Sequence, residues 1–164
     1  MKKMVAPSAP PASAILPVVS ITQDKWNEEY CRIENGIFFA TDDVALLEGN
    51  PNGGYRVSTH VPLSTLLDRD PDGWTAILVH PACRVETSGL IVSAGATAWE
   101  GEGFVAVQEA AGGSLIWLLH VCESEAFVDL RVVGDIILAV SAEHPRRYRW
   151  RIPLQNPTLL QLDM

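Results

Sequence analysis

Hydrophobic and polar residues alternate along several stretches of the chain with the period of a β-strand. In residues 125–133, apolar side chains occupy every second position from Ala126 to Val132, and the charged residues Glu125, Asp129 and Arg131 lie at alternate positions. Residues 147–152 alternate in the same way. A period of two is typical of a strand that has one face on the core and the other in solvent. These stretches therefore predict antiparallel strands with a solvated face.

One stretch is apolar at odd and even positions alike. Residues 114–122 place Leu115, Trp117, Leu119 and Val121 on one face and Ile116, Leu118, His120 and Cys122 on the other. A strand that is apolar on both faces is typical of the centre of a sheet that is covered on two sides. We therefore expect this segment to be a central strand.

Two residue pairs that contain glycine predict tight turns. Gly134-Asp135 follows the first alternating stretch and leads into residues 136–142, which predicts a two-residue hairpin. Asn35-Gly36 lies between the apolar runs 30–34 and 37–41. Because both residues of a type I′ turn need positive φ, the Asn-Gly pair predicts a second hairpin there.

The remaining elements are short. Further strands are predicted at 55–61, 74–80, 84–87, 90–93 and 104–109, and helical turns at 62–67 and after a cap at Thr22. About ten short strands at this spacing are typical of a sandwich or barrel. We expect an all-β fold, or a mostly β fold with one or two short helices, built as a single antiparallel sandwich or open barrel.

The 164 residues suit one domain. Residues 1–20 are rich in Pro, Ala and Ser and predict a flexible tail, so that a single β-rich domain covers 21–164. The prolines interrupt the apolar stretch that a signal peptide needs, and no apolar run is long enough to cross a membrane. The three cysteines, odd in number, predict reduced thiols and a cytoplasmic location.

Charge is unevenly distributed along the chain, whose net charge is −8 at neutral pH. Residues 24–135 hold 18 acidic and six basic residues, a net charge of −12, whereas residues 136–164 hold two acidic and four basic residues. A nucleic-acid-binding domain is usually basic, so nucleic acid is not an expected partner. An acidic body instead attracts a basic protein.

Seven residues are candidates for contact with such a partner, because they combine carboxylates with tryptophans that can anchor an interface. They are Asp68, Asp70, Asp72, Trp74, Trp99, Glu100 and Glu102. The alternative is an acidic surface that only keeps the protein soluble. Pairing of two copies into a homodimer through a sheet edge or face also stays open.

Four arginines near the end of the chain form a row, Arg146, Arg147, Arg149 and Arg151. Because residues two apart in a strand share a face, their guanidinium groups can bind an anion such as phosphate or a carboxylate. The interpretation that we prefer is pairing with acids on a neighbouring strand, since the chain has a surplus of acids.

Four residues are candidate zinc ligands, because zinc prefers nitrogen and sulfur ligands in a tetrahedron: His80, Cys83, His120 and Cys122. In a strand, His120 and Cys122 point the same way. The spacing is not that of a zinc finger, and buried cysteines with a hydrogen-bonded core histidine are the simpler alternative.

Residues 68–73, Asp-Arg-Asp-Pro-Asp-Gly, imitate the start of a calcium-binding EF-hand loop. The twelfth position of such a loop needs a bidentate Glu, and here it is Val79. We therefore interpret this segment as an acidic surface turn.

Two common catalytic motifs are absent from the sequence, the Gly-x-Ser-x-Gly nucleophile elbow and the phosphate-binding loop. We therefore predict a non-catalytic acidic interaction module of the immunity or antitoxin type, which binds and blocks a basic partner and needs no cofactor. The alternatives are a β-barrel that binds a small molecule or metal, and a small enzyme of unknown reaction.

Overall fold

The computed structural model of the protein describes residues 20–142 and 148–163. The helices are α1 (Ile21–Asn27) and α2 (Leu63–Arg69), and a 3₁₀ turn covers Pro157–Leu159. The strands are β1 (Tyr30–Arg32), β2 (Gly36–Phe39), β3 (Asp43–Gly49), β4 (Tyr55–Pro62), β5 (Trp74–Thr87), β6 (Leu90–Thr97), β7 (Gly103–Glu109), β8 (Leu115–Val121), β9 (Phe127–Val133), β10 (Ile136–Ser141), β11 (Tyr148–Pro153) and β12 (Gln161–Asp163).

The strands form two antiparallel sheets. The large sheet has the order β1-β5-β6-β7-β8-β2-β3-β4, and the small sheet has the order β12-β11-β10-β9. The predicted fold class is confirmed, because the fold is mostly β with two short helices and is consistent with a sandwich. The predicted hairpin at Gly134-Asp135 is also confirmed: Val133 pairs with Ile136, and Gly134 has a φ of 62°.

The main core lies between the two sheets. Its largest side chains are Trp117 from the large sheet and Trp150 from the small sheet, both about 1% exposed. Trp117 Nε1 donates a hydrogen bond of 3.0 Å to the carbonyl of Leu154, and Trp150 Nε1 donates to Ser141 Oγ at 3.4 Å. Each indole therefore buries its ring and still satisfies its polar atom.

A second core covers the other face of the large sheet. Leu63 and Leu66 of α2 and Trp26 of α1 pack there against Phe104 and Leu118 of the sheet. Strand β8 is therefore covered on both faces, as the sequence predicts. The predicted faces differ at Leu115, which joins the second core. The reason is a bulge: Val107 pairs with Trp117 but Gln108 pairs with Leu115, so that Ile116 is an extra residue.

The large sheet curls, so that β1 at its edge comes back against β8, although β5, β6 and β7 lie between them in the sheet order. A direct contact confirms the approach, since the ring of His120 in β8 lies 3.1 Å from the carbonyl oxygen of Glu34, just after β1. The short connection from β1 to β2 therefore crosses one end of the sheet.

The predicted hairpin at Asn35-Gly36 is wrong. Strand β1 pairs with β5, whereas β2 pairs with β3 and β8, and Gly36 does not adopt a positive φ. The two buried faces of β2 explain the difference, because Ile37 packs in the main core and Phe38 in the second core. Only a position inside the sheet covers both faces, and this tertiary gain outweighs the local turn preference.

Several element boundaries also differ from the predicted ones. Strands β3 and β12 were not predicted, and the two strands expected at 74–80 and 84–87 are the single strand β5 with a register shift between Val79 and Arg84. Helix α1 is capped by Ser20 rather than Thr22, since Gln23 N–H donates to Ser20 Oγ at 3.1 Å.

The flexible tail expected over 1–20 lies outside the described residues apart from Ser20, and it stays a prediction. In the part of the chain that the structure describes, neither helix is long and apolar enough to cross a membrane.

Candidate functional site

Four connections meet at one end of the large sheet. They are the β1–β2 connection (33–35), the α2–β5 loop (70–73), the β6–β7 loop (98–102) and the β8–β9 turn (122–126). With the last turn of α2 they carry the carboxylates of Glu34, Asp68, Asp70, Asp72, Glu100, Glu102, Glu123 and Glu125. We call this surface the acidic end.

Backbone hydrogen bonds join the connections of the acidic end to one another and to the strands. Ile33 N–H donates to the carbonyl of Gly73 at 2.9 Å, which joins the β1–β2 connection to the α2–β5 loop. Thr97 N–H donates to the carbonyl of Glu102 at 2.8 Å and closes the β6–β7 loop. The positions of the carboxylates are therefore set by the sheet as well as by their loops.

Two arginines of the described residues lie at the acidic end, and they neutralise little of its surface charge. Arg69 forms an ion pair with Glu34. Arg32 is only 2% exposed, and its guanidinium lies below the surface against the ring of Trp74. Most of the eight carboxylates are exposed, so this end of the molecule keeps a strong negative charge.

The two candidate anchor tryptophans have different environments. Trp99, in the β6–β7 loop, is 87% exposed, which is unusual for so large a side chain. Trp74 is half-buried, and the cationic groups of Lys25 and Arg32 each lie 5.5 Å from its ring centre. Trp99 is therefore free to contact a partner, whereas Trp74 is part of the folded structure. All seven candidate partner-binding residues lie at or beside the acidic end.

A group of three possible metal ligands lies in the same end of the sheet. One ring nitrogen of His120, the thiol sulfur of Cys122 and a carboxylate oxygen of Glu102 all lie within 4.8 Å of one another. Strands β7 and β8 are paired so that Gly103 faces Val121, which places Glu102 beside Cys122. His120 is fully buried, whereas the side chain of Glu102 is 16% exposed and connects the group to solvent.

Hydrogen bonds orient the members of this group. Nδ1 of His120 lies 3.1 Å from the carbonyl oxygen of Glu34 and can only donate to it. The neutral ring then has its lone pair on Nε2, which lies 3.1 Å from Glu102 Oε2. The backbone N–H of Cys122 donates to Asn35 Oδ1 at 2.6 Å and holds the start of the β8–β9 turn.

Burial favours the uncharged form of each member. It lowers the pKa of His120, although hydrogen bonds to the backbone of Glu34 and Arg32 oppose this, and it raises the pKa of Glu102, to which the charge of Glu100 adds. Burial, followed by the charges of nearby carboxylates, raises the pKa of the Cys122 thiol to about 11. The thiol is therefore protonated at neutral pH, and it is not an activated nucleophile.

The structure does not bring His80 or Cys83 to this group. Cys83 lies in the main core, where its thiol contacts the carbonyl of Phe127 at 3.7 Å, whereas His120 faces the opposite side of the large sheet. Nδ1 of His80 accepts a hydrogen bond from Ala82 N–H at 3.1 Å. The predicted set of four zinc ligands is therefore divided, and only His120 and Cys122 lie together.

Among the described residues, the carboxylates of 68–73 do not belong to a group of three possible metal ligands whose ligand atoms lie within 4.8 Å of one another. Asp70 Oδ1 instead accepts from Asp72 N–H at 3.3 Å, as in an acidic turn. In the arginine row, Arg149 and Arg151 are exposed on β11, and Arg149 lies opposite Asp163 of β12. Arg146 and Arg147 lie outside the described residues.

A surface groove of about 580 Å³ lies away from the acidic end. It is lined by Trp26, Asn27, Glu29, Ile77, Leu78, Val79, Gln108, Gly112 and Gly113. Glu29 is the one titratable side chain among these lining residues. The groove therefore lacks the several converging titratable groups that are typical of an active site.

Comparison of the chain with protein-family models, with curated proteins and with solved structures gave no match. The function therefore has to be inferred from the residues themselves. Sequence reasoning identified His120 and Cys122 but did not connect Glu102 with them. Their proximity depends on the pairing of β7 with β8, and no spacing along the chain reports it.

Proposed function

We propose that the protein is a non-catalytic interaction module of the immunity or antitoxin type, which binds a basic partner protein through the acidic end and blocks it. One observation carries this proposal. Four separate connections and the last turn of α2 place eight carboxylates on the same end of the sheet as Trp99, whose side chain is 87% exposed. An aromatic anchor within a charged rim is a common arrangement of protein interfaces.

The charge at this end favours a basic partner. Arg69 is already paired with Glu34 and Arg32 is buried, so the exposed carboxylates of the acidic end are available to a cationic surface. Such a field increases the rate at which a basic protein is captured, and salt screens it. A cytoplasmic location is part of the proposal, and the free thiols of Cys31, Cys83 and Cys122 support it.

Capture of the partner from the native host tests this function. The full chain is used as bait at low and at high salt, and bound proteins are identified by mass spectrometry. We expect a basic protein that is released as salt rises. A bait that retains no protein, or one whose partner is acidic or unaffected by salt, would contradict the proposal.

Matched variants connect the capture to the acidic end. Replacement of Asp70, Asp72 and Glu100 by Lys should abolish it, and Trp99→Ala should weaken it. Replacement of three exposed acids elsewhere, Glu86, Glu109 and Asp135, by Lys gives the same change in net charge and should retain the partner. Because Trp99 is 87% exposed, Trp99→Ala should alter the free energy of unfolding by less than about 0.5 kcal/mol. Equal loss in both triple variants would show that only total charge matters.

A further inference from the structure

Glu102, His120 and Cys122 supply an oxygen, a nitrogen and a sulfur donor within 4.8 Å of one another. Zinc bonds of 2.0–2.3 Å in a tetrahedron place the donor atoms about 3.3–3.8 Å apart. Here Nε2 of His120 lies 3.1 Å from Glu102 Oε2, whereas the 3.8 Å contact of Cys122 Sγ is to Nδ1, the ring nitrogen that carries the proton. Binding of one ion at Nε2 therefore requires the Cys122 side chain to rotate from Nδ1 toward Nε2.

The orientation of His120 is that of a metal ligand. A histidine that binds a metal usually donates its other ring N–H to a carbonyl or carboxylate, which fixes the tautomer. Nδ1 of His120 faces the Glu34 carbonyl, so Nε2 presents its lone pair to Glu102. Nε2 and the Glu102 carboxylate are then two acceptors facing each other. A proton or a metal cation between them resolves this contact.

We propose that these three residues bind a divalent zinc-type cation, with water as the fourth ligand. The ion would replace the proton of the Cys122 thiol, which passes to solvent as the sulfur–metal bond forms. Glu34, Glu100 and Glu123 act electrostatically on the group and favour a cation there. The ion would link the β6–β7 loop to β8 and the β8–β9 turn. This site does not depend on the proposed partner.

Cobalt titration tests the site, because Co²⁺ replaces Zn²⁺ and reports thiolate ligation by absorption. The full chain without a histidine tag is treated with a chelator, desalted and titrated with Co²⁺. We expect one equivalent to produce a near-ultraviolet thiolate-to-cobalt band and visible bands of a tetrahedral ion, which Zn²⁺ then removes. A wild-type protein without the thiolate band would overturn the proposal.

Matched variants identify the ligands. Cys122→Ala should abolish the thiolate band, whereas Cys83→Ala should retain it, because Cys83 lies in the main core. Glu102→Gln should weaken Co²⁺ binding by about tenfold or more, whereas its exposed neighbour Glu100→Gln should change it by less than threefold. Circular dichroism without metal checks that each variant folds. The assignment of the sulfur ligand would be overturned if Cys83→Ala lost the thiolate band and Cys122→Ala retained it. The assignment of the oxygen ligand would be overturned if the Glu102→Gln and Glu100→Gln variants bound Co²⁺ with equal affinity.

Discussion

Arg32 is a cation buried inside a β-rich fold, with 2% of its surface exposed. Its Nη2 donates a hydrogen bond of 3.0 Å to the carbonyl of Leu66 in α2, and its guanidinium lies 5.5 Å from the ring centre of Trp74. Within the described residues, Nε and Nη1 have no hydrogen-bond partner. Desolvation of this charge is therefore only partly compensated, and the side chain contributes mainly by filling space.

Two substitutions separate the charge of Arg32 from its volume. Arg32→Met retains most of the volume and removes the charge, so we expect the free energy of unfolding to change by less than about 1 kcal/mol. Arg32→Ala leaves a cavity beside Trp74 and should lower it by about 2–4 kcal/mol. Urea unfolding at neutral pH measures both values. If Arg32→Met is as destabilising as Arg32→Ala, the charge itself is required.

At the scale of elements, helix α1 depends on a carboxylate from outside it. Asp42, which precedes β3, accepts hydrogen bonds of 2.9 Å from the backbone N–H groups of Ile21 and Thr22 and one of 3.1 Å from Ser20 Oγ. Burial raises the pKa of Asp42, but these hydrogen bonds outweigh it and the net pKa is lowered. A helix of seven residues gains much from such an anchor, because it makes few hydrogen bonds of its own.

Asp42 should make stability depend on pH. A carboxylate with a lowered pKa stabilises the fold above its unfolded pKa of about 3.9, and this contribution is lost as pH falls through the folded pKa. Asp42→Asn suits the test, because Asn tolerates the φ of 65° at this position. We expect this variant to be less stable by about 0.5–1 kcal/mol at pH 7 and the difference to shrink below pH 4. The exposed Asp43→Asn is the control, and an unfolding difference that stays constant with pH would contradict the prediction.

The pairing of β5 with β6 depends on a close backbone approach at Gly95. A Cβ atom there would overlap the carbonyl oxygen of Leu78 and lie 2.8 Å from the backbone nitrogen of His80. The approach occurs beside the register shift between Val79 and Arg84. Backbone atoms cannot move aside as a flexible side chain can, so this position needs glycine.

Gly95→Ala should therefore lower the free energy of unfolding by about 2 kcal/mol or more. Gly49→Ala is the matched control, because a Cβ at Gly49 meets nothing within 4 Å, and it should change stability by less than about 0.5 kcal/mol. Thermal and urea unfolding of the two variants measure the difference. Similar stabilities would mean that β5 and β6 separate at this point without loss.

At the scale of the whole molecule, the uneven charge along the sequence becomes an uneven distribution of charge on the surface. The acidic end gathers eight carboxylates, whereas Arg149 and Arg151 lie on β11 of the small sheet. Long-range attraction acts on the rate of encounter, and close contacts act on the lifetime of a complex. The carboxylates of the acidic end should therefore affect the association rate constant, and Trp99 should affect the dissociation rate constant.

Binding kinetics with the identified partner can separate the two effects. Replacement of Asp70, Asp72 and Glu100 by Lys should slow association by about tenfold at low salt, with a smaller change in dissociation. Trp99→Ala should mainly accelerate dissociation. Surface plasmon resonance across a salt series measures both rates. A triple variant that changes only dissociation would argue against electrostatic steering.

Much of the element content follows from local patterns. Alternation identifies β9 and β11, the doubly apolar segment identifies β8, and Gly134-Asp135 identifies its hairpin. Local patterns do not predict β3. The hairpin predicted at Asn35-Gly36 is wrong because the pairing of β2 with β3 and β8 inside the large sheet outweighs the local turn preference. Of the three proposed metal ligands, His120 and Cys122 are two apart in one segment, whereas Glu102 reaches them only through strand pairing.

The amino-acid sequence by itself determined the fold class, the central position of β8 and the surplus of acid between residues 24 and 135. These are properties of composition and of a period of two, and both are local. Only the tertiary structure decided which strands are neighbours, that β1 returns to β8, and that Glu102, His120 and Cys122 meet at the acidic end. Strand order depends on which strand faces can be buried together, and the strands that meet are often far apart in the chain.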